Sequence, residues 1–386
     1  MKRIPSIDST RGIVMIIMAL DHVRDLIHTT SITQSPTDLA TTSPLLFFTR
    51  WVTYLCAPVF VFLSGTSAFL SFTRSNDAGA SRQFLWTRGA WLILLDLTVI
   101  NFALWFDIHF NVFLFNVVSA IGFGYIILGF VLKFSYKAIA ITGLLIVFLH
   151  NLAPLIPLAE TSTFKKVLMP FFGPGAIPLG GGKTFVMGYP PIPWLAVMLL
   201  GFASGKLFEL ERSVRKKAFF KIGLLAILLS VLVRFVNIYG DAAPWSTQKN
   251  NFYTFLSFLD ITKYPPSLVY CLLFLGIMFL ILSATEGLQN KFTGIAIVYG
   301  KVPLFYFLLH FFLIHILMFL VLFWQGYGVA DFVFGFNFGR PAGISGLSLP
   351  GVYLAWIGVV GLLYPLCRWY GKYKQTHPEK KWLRYL

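Results

Sequence analysis

Residues 302–324 read VPLFYFLLHFFLIHILMFLVLFW, a run of apolar and aromatic residues without a single Asp, Glu, Lys or Arg. A helix of about 20 such residues is long enough to cross the hydrocarbon core of a bilayer. The run therefore predicts a membrane-spanning helix.

Similar apolar stretches recur along the whole chain. Each is close to the length that a span needs, so they predict a polytopic membrane protein. The ten predicted spans are residues 9–28, 46–73, 84–106, 112–134, 137–154, 190–208, 217–238, 265–284, 302–324 and 349–370.

The composition of the 386 residues supports this interpretation, because 57% are hydrophobic and only 12% are charged, with a mean hydropathy of +0.76. A soluble domain has about twice that charged fraction. These values exclude a soluble multidomain protein, a nucleic-acid binder, a disordered chain and a secreted disulfide scaffold. We predict one all-α domain over residues 1–386, a transmembrane helical bundle of about ten spans.

The formal net charge of +16 indicates the orientation of the bundle. Lysine and arginine accumulate in the cytoplasmic loops of membrane proteins. With both termini cytoplasmic, most basic residues fall on that side, including Lys2, Arg3, the cluster at residues 206–221 and the tail from Arg368. Cys56, Cys271 and Cys367 show no metal-ligand spacing, so no metal site is predicted.

The first span contains the densest group of ionisable residues. Such residues are costly inside a membrane and are therefore functional candidates. Helical spacing puts Arg11, His22 and Asp25 on one face, with Arg11 and His22 about 16 Å apart along the axis. We predict that His22 is a catalytic base whose ring is oriented by Asp25 or Asp21. The structural alternative is mutual neutralisation of Asp21, Arg24, Asp25 and His28 at the end of the helix.

The opening Ser6-Ile7-Asp8-Ser9-Thr10-Arg11-Gly12, with His22 eleven residues after Arg11, resembles two groups of membrane enzymes. One is the acyltransferase-3 family of O-acetyltransferases. The closer resemblance is to the heparan-α-glucosaminide N-acetyltransferase catalytic-domain family, especially its bacterial members of unknown substrate. The supporting stretches are residues 49–54, 57–65, 179–183, 189–194, 263–267 and 300–306.

The resemblance implies acetyl transfer from cytoplasmic acetyl-CoA to a hydroxyl or amine of a sugar-like or glycan acceptor on the extracytoplasmic side. It also implies residence in the bacterial cytoplasmic (inner) membrane. In the human heparan-modifying enzyme an amide residue takes the position of His22, and the catalytic histidine follows later, where His28 is the nearest counterpart. Heparan is therefore not the predicted acceptor. Acetyl-CoA would be a co-substrate, with no permanently bound cofactor.

Arg11 is the predicted acetyl-CoA-binding residue, and the basic cluster at residues 206–221 either anchors the topology or shares the CoA phosphates. The predicted acceptor-binding residues are Arg50, His28, Lys183 and His310. Each has a structural alternative: Arg50 as an interface arginine or a partner of Asp25, and His310 as a buried core histidine. The run from Gly180 to Lys183 predicts a flexible lid over the acceptor.

Several alternatives remain open. The acetyl group would pass to the acceptor directly or through an acetyl-histidine intermediate. The acceptor atom would be nitrogen or oxygen. The protein would be a monomer or a homo-oligomer. A secondary transporter would also have about ten spans with charged residues, although it more often shows two matching halves. A non-enzymatic lipid- or sugar-binding membrane protein follows if the cluster around His22 is only structural.

Overall fold

The computed structural model describes residues 4–157 and 162–385, without the side chains of Lys381 and Arg384. Lys2 and Arg3, two of the residues used to predict the orientation, lie outside the described residues. The structure is 70% helical with little sheet, which confirms the all-α, polytopic fold class.

The α-helices in the described residues, in chain order, are α1 (Pro5–Ile27), α2 (Pro44–Thr53), α3 (Cys56–Ser75), α4 (Ala78–Leu95), α5 (Asn101–Trp105), α6 (Val117–Val131), α7 (Tyr136–Leu149), α8 (Thr163–Leu168), α9 (Pro191–Ser204), α10 (Arg212–Val236), α11 (Asn251–Leu259), α12 (Leu268–Thr285), α13 (Lys291–Gly300), α14 (Pro303–Trp324) and α15 (Leu349–Thr376). Three short strands form one sheet in the order β1-β3-β2, and they are β1 (Val112–Phe115), β2 (Gly175–Gly180) and β3 (Lys183–Met187).

Eight helical segments among the described residues are long and apolar enough to cross a membrane. They correspond to eight of the ten predicted spans, and some combine two consecutive helices, as α2 and α3 do over Pro44–Ser75. The predicted span 9–28 corresponds to α1. The predicted span 112–134 was wrong at its start, because Val112–Phe115 form strand β1 and pair with β3 before α6 begins. The α6 helix has only 15 residues. The α1 helix has 23 residues but carries Asp8, Arg11, Asp21, Arg24 and Asp25, and these charges reduce its apolar character.

The described residues pack as two compact units. The first unit comprises residues 57–98 and 113–286, in which α4 packs against α6, α7 against α9, and α10 against α12. The connection before α9, which holds the predicted lid from Gly180 to Lys183, contains an antiparallel hairpin of β2 and β3. Its turn is formed by Gly181 and Gly182, and both they and Gly180 at the end of β2 have positive φ, a backbone conformation that glycine adopts at little cost.

The second unit comprises residues 4–56, 99–112 and 287–385 and is built around α1. The α1 helix packs against α2, α13, α14 and α15. The short α13 was not predicted from the sequence, and it ends at Gly300, just before Pro303 begins α14. Packing on several sides explains why Val14, Met18, Ala19 and Val23 are all buried. The single domain over residues 1–386 stays a prediction.

Candidate active site

Two histidines of the second unit meet across α1 and α14. The Nδ1 atom of His22 lies 2.7 Å from Nε2 of His310, which is a hydrogen-bond distance. The ring centroids are 4.9 Å apart, and His310 is completely buried. The structure thus brings together two of the predicted site residues that are 288 positions apart in the chain.

The backbone of α14 determines which nitrogen of each ring carries the proton. His310 Nδ1 lies 2.6 Å from the carbonyl oxygen of Phe307, and a carbonyl only accepts hydrogen bonds, so Nδ1 of His310 is the protonated nitrogen. In the neutral ring Nε2 is then an acceptor, and it accepts from the Nδ1–H group of His22. The remaining His22 nitrogen, Nε2, therefore carries the lone pair that a general base needs.

Aromatic rings of α14 surround this histidine pair. The Phe311 ring stacks on His22 with centroids 4.4 Å apart, and Phe307 presents its edge at 6.4 Å. Tyr306 stacks on His310 at 5.7 Å. These rings form apolar walls on the α14 side of the histidine pair.

The carboxylates beside His22 engage arginines. Asp21 Oδ1 lies 2.9 Å from Arg24 Nη2 and 2.7 Å from Arg50 Nη1, and it accepts a hydrogen bond from Thr53. Asp25 contacts Arg24 and lies 3.9 Å from Arg50. Two aspartates and two arginines thus form a network with no net charge, in which Asp21 and Arg24 are buried and Asp25 is partly exposed.

This arrangement changes the interpretation of three predicted residues. The sequence spacing assigned the orienting role at His22 to Asp25 or Asp21, whereas the group that meets His22 Nδ1 at 2.7 Å is His310. Asp25 contacts Arg24 and Arg50, so the predicted Arg50–Asp25 proximity is present, with Asp21 as the closer partner of Arg50. The catalytic roles themselves stay predictions.

His28 and Arg11 lie toward opposite ends of α1. Arg11 Nη1 is 3.8 Å from Asp8 Oδ1, one turn earlier on the helix. His28 follows the last residue of α1, and its ring Nδ1 lies 3.1 Å from Thr30 Oγ1. Burial lowers the pKa of the His28 imidazole, and the positive charges of Arg24 and then Arg340 lower it further. His28 is consequently neutral at physiological pH.

Arg340 is a functional candidate that the sequence analysis missed. Its fully buried guanidinium donates to the His28 carbonyl at 2.7 Å, to Ser31 Oγ at 2.6 Å and to both oxygens of Ser345. These bonds tie the end of α1 to the segment that precedes α15. The only indication of this role in the sequence is that Arg340 stands between Gly339 and Pro341 in a mostly apolar loop.

Lys183 belongs to the first unit, at the start of β3. Its Nζ atom lies 5.8 Å from the centroid of the Phe113 ring, within the range of a cation–π contact. The acceptor-binding role of Lys183 stays a prediction. Within the part of the chain that the structure describes, no group of three or more His, Cys, Asp or Glu side chains is arranged to hold a metal ion.

Comparison with known families adds a second, independent line of evidence. The sequence model described as heparan-alpha-glucosaminide N-acetyltransferase, catalytic, matches residues 3–237. The matched range contains α1 and Arg50, and it ends before α14, where His310 lies. No curated protein matches the chain.

Proposed function

Because the chain belongs to the heparan-alpha-glucosaminide N-acetyltransferase catalytic family, we propose that it transfers an acetyl group from acetyl-CoA to a hydroxyl or amine of a sugar-like acceptor. The family match and the apolar helices together make the protein an integral membrane protein with an acetyltransferase kind of activity. The observation that carries the proposal is the pairing of His22 with His310, which leaves a basic nitrogen on His22.

In the proposed reaction, His22 Nε2 removes a proton from the acceptor hydroxyl or amine as the acceptor attacks the thioester carbonyl carbon. A tetrahedral intermediate forms and its carbon–sulfur bond breaks. The CoA thiolate leaves and takes the proton from the His22 imidazolium. His310 accepts the Nδ1–H hydrogen bond throughout, which holds the His22 ring in place and stabilises its positive charge.

The remaining predicted residues receive proposed roles consistent with their positions. Arg11, near the N-terminal end of α1, would contact the CoA phosphates. His28 and Arg50 would contact the acceptor. We further propose that acetyl-CoA binds from the cytoplasm, that the acceptor lies on the extracytoplasmic side, and that the membrane is the bacterial inner membrane. These assignments rest on the family resemblance and on the basic residues predicted to face the cytoplasm.

The test is release of CoA from acetyl-CoA by purified protein in lipid nanodiscs, with and without hydroxyl and amino sugars. His22→Ala is expected to lower turnover by about 10²–10⁴-fold because it removes the base. His310→Phe keeps a stacked ring but removes the acceptor, so turnover should fall substantially. His310→Gln offers an amide oxygen to His22 Nδ1–H and should retain more activity than His310→Phe.

His377→Gln is the matched control, since His377 lies at the end of α15 and bonds to Tyr373 rather than to the histidine pair. It should keep full turnover. Full activity of His22→Ala would remove His22 from the mechanism. A wild-type protein that neither binds nor consumes acetyl-CoA would overturn the acetyltransferase proposal and favour a transporter or a binding protein.

A further inference from the structure

The hydroxyl group of Tyr306 is fully buried and has no hydrogen-bond partner among the described residues. Buried tyrosine hydroxyls usually find a partner, because an unsatisfied polar group in an apolar environment destabilises the fold. Such a group is explained either as a structural defect that the fold tolerates or as a group whose partner is a ligand.

Tyr306 lies one helical turn before His310 on α14. Its ring stacks on the His310 ring, with centroids 5.7 Å apart and planes 21° apart. His310 is in turn hydrogen-bonded to His22 at 2.7 Å. The unsatisfied hydroxyl is therefore carried by a ring that stacks on His310, one member of the histidine pair.

The neighbouring Tyr299, unlike Tyr306, has a hydrogen-bond partner for its hydroxyl. Tyr299 meets Tyr306 edge to face at 5.3 Å, and its hydroxyl donates to the Val360 carbonyl at 2.8 Å. Ser9 of α1, thirteen residues before His22, also has a buried hydroxyl without a partner among the described residues. Ser9 thus precedes His22 on α1, as Tyr306 precedes His310 on α14.

We propose that the Tyr306 hydroxyl donates a hydrogen bond to a carbonyl oxygen of the acyl-pantetheine arm of acyl-CoA when the thioester is at His22. This inference rests on the proposed acetyltransferase function. The pantetheine arm is a thin chain whose amide and thioester carbonyls would be costly to bury in an apolar bundle without donors. A preformed donor beside the histidine pair satisfies one of these carbonyls and fixes the position of the thioester.

The test compares Tyr306→Phe with wild type in acetyl-CoA binding, turnover and thermal unfolding. If the hydroxyl has a ligand partner, the dissociation constant of acetyl-CoA should rise about tenfold or turnover should fall by a similar factor. The melting temperature should stay equal or rise, because the variant removes only an unsatisfied group. Tyr370→Phe is the matched control, since it removes another buried hydroxyl that lacks a partner in the described residues, and it should change neither binding nor turnover.

Binding of free CoA identifies the carbonyl. A loss of affinity for both CoA and acetyl-CoA indicates a pantetheine amide, and a loss for acetyl-CoA alone indicates the thioester carbonyl. Unchanged binding and turnover in Tyr306→Phe would overturn the inference, and so would a marked loss of stability, because it would reveal a structural partner for the hydroxyl. If wild type itself fails to bind acetyl-CoA, the failure belongs to the proposed function.

Discussion

Gly12 of α1 and Ala296 of α13 meet backbone to backbone, so closely that a Cβ atom built on Gly12 would lie 1.7 Å from the Ala296 carbonyl oxygen. The same two helices approach again where Gly300 lies against the carbonyl of Asp8. The glycine that follows Arg11 therefore has a packing reason, since it lets α13 lie directly against the helix that carries His22.

Gly12→Ala is expected to destabilise the protein by about 1–3 kcal/mol, because α1 and α13 must separate to admit the methyl group. The measurement is the unfolding temperature in nanodiscs. Gly294→Ala is the matched control on α13, where a Cβ meets nothing within 4 Å, and there the better helix propensity of alanine should stabilise by up to about 1 kcal/mol. Equal effects of the two changes would contradict the close contact.

Asp21 links Arg24 and Arg50, so its charge has a structural role that can be measured. Asp21→Asn should lower the free energy of unfolding by about 3–5 kcal/mol, because the buried Arg24 and the partly buried Arg50 would share only Asp25. Glu209→Gln removes the partner of Lys206 in a solvent-exposed pair and should leave stability nearly unchanged. A small effect of Asp21→Asn would mean that Asp21 is not needed to hold the arginines.

The lowered pKa of His28 predicts that the stability of the protein depends on pH. Its pKa is lowered in the folded protein by burial and by Arg24 and Arg340, so the unfolded chain binds the proton more tightly. Stability is therefore full above the ordinary histidine pKa of about 6.5 and falls as the pH drops below it. His28→Asn should lose less stability than wild type between about pH 7.5 and 5.5, as measured by thermal unfolding. Parallel losses in both proteins would assign the acid sensitivity to other groups.

Arg340 fixes the end of α1 through its planar guanidinium. Burial lowers the pKa of Arg340 to about 10, which leaves the group charged at neutral pH. Arg340→Lys keeps the charge but cannot reach His28, Ser31 and Ser345 together, so the free energy of unfolding should fall by at least about 2 kcal/mol. Arg212→Lys, at an exposed arginine, should be nearly neutral. If both substitutions are neutral, the bonds of Arg340 contribute little.

Much of the helical arrangement could be predicted because length and apolarity are local properties of the sequence. Each of the ten predicted spans contains a helix, although α1 is strongly charged and the span 112–134 begins with strand β1, which leaves α6 short. The α13 helix was missed because its ten residues are too few for a span. The hairpin of β2 and β3 was missed because both strands are short and β2 contains two glycines and a proline.

The chemistry of the site could be predicted only in part. The candidate histidine was identified from charges on one helix face, where local spacing is informative. The pairing of His22 with His310 was not predicted, because it arises from the packing of α14 against α1. A single sequence does not reveal which helices pack together. Local spacing favoured Asp25, but Arg24 and Arg50 engage that carboxylate. The acceptor and the orientation in the membrane stay predictions.

The charges of α1 also have a consequence for the order in which the protein is assembled. Each Asp or Arg near the centre of an isolated membrane helix raises the free energy of insertion by about 2.5–3.5 kcal/mol. Arg50 of α2 is synthesised soon after α1 and can neutralise Asp21 early. The helices α13, α14 and α15, which pack against α1, are synthesised last. His22 therefore acquires its His310 partner only when translation is nearly complete, so the nascent chain has no complete histidine pair during most of its synthesis.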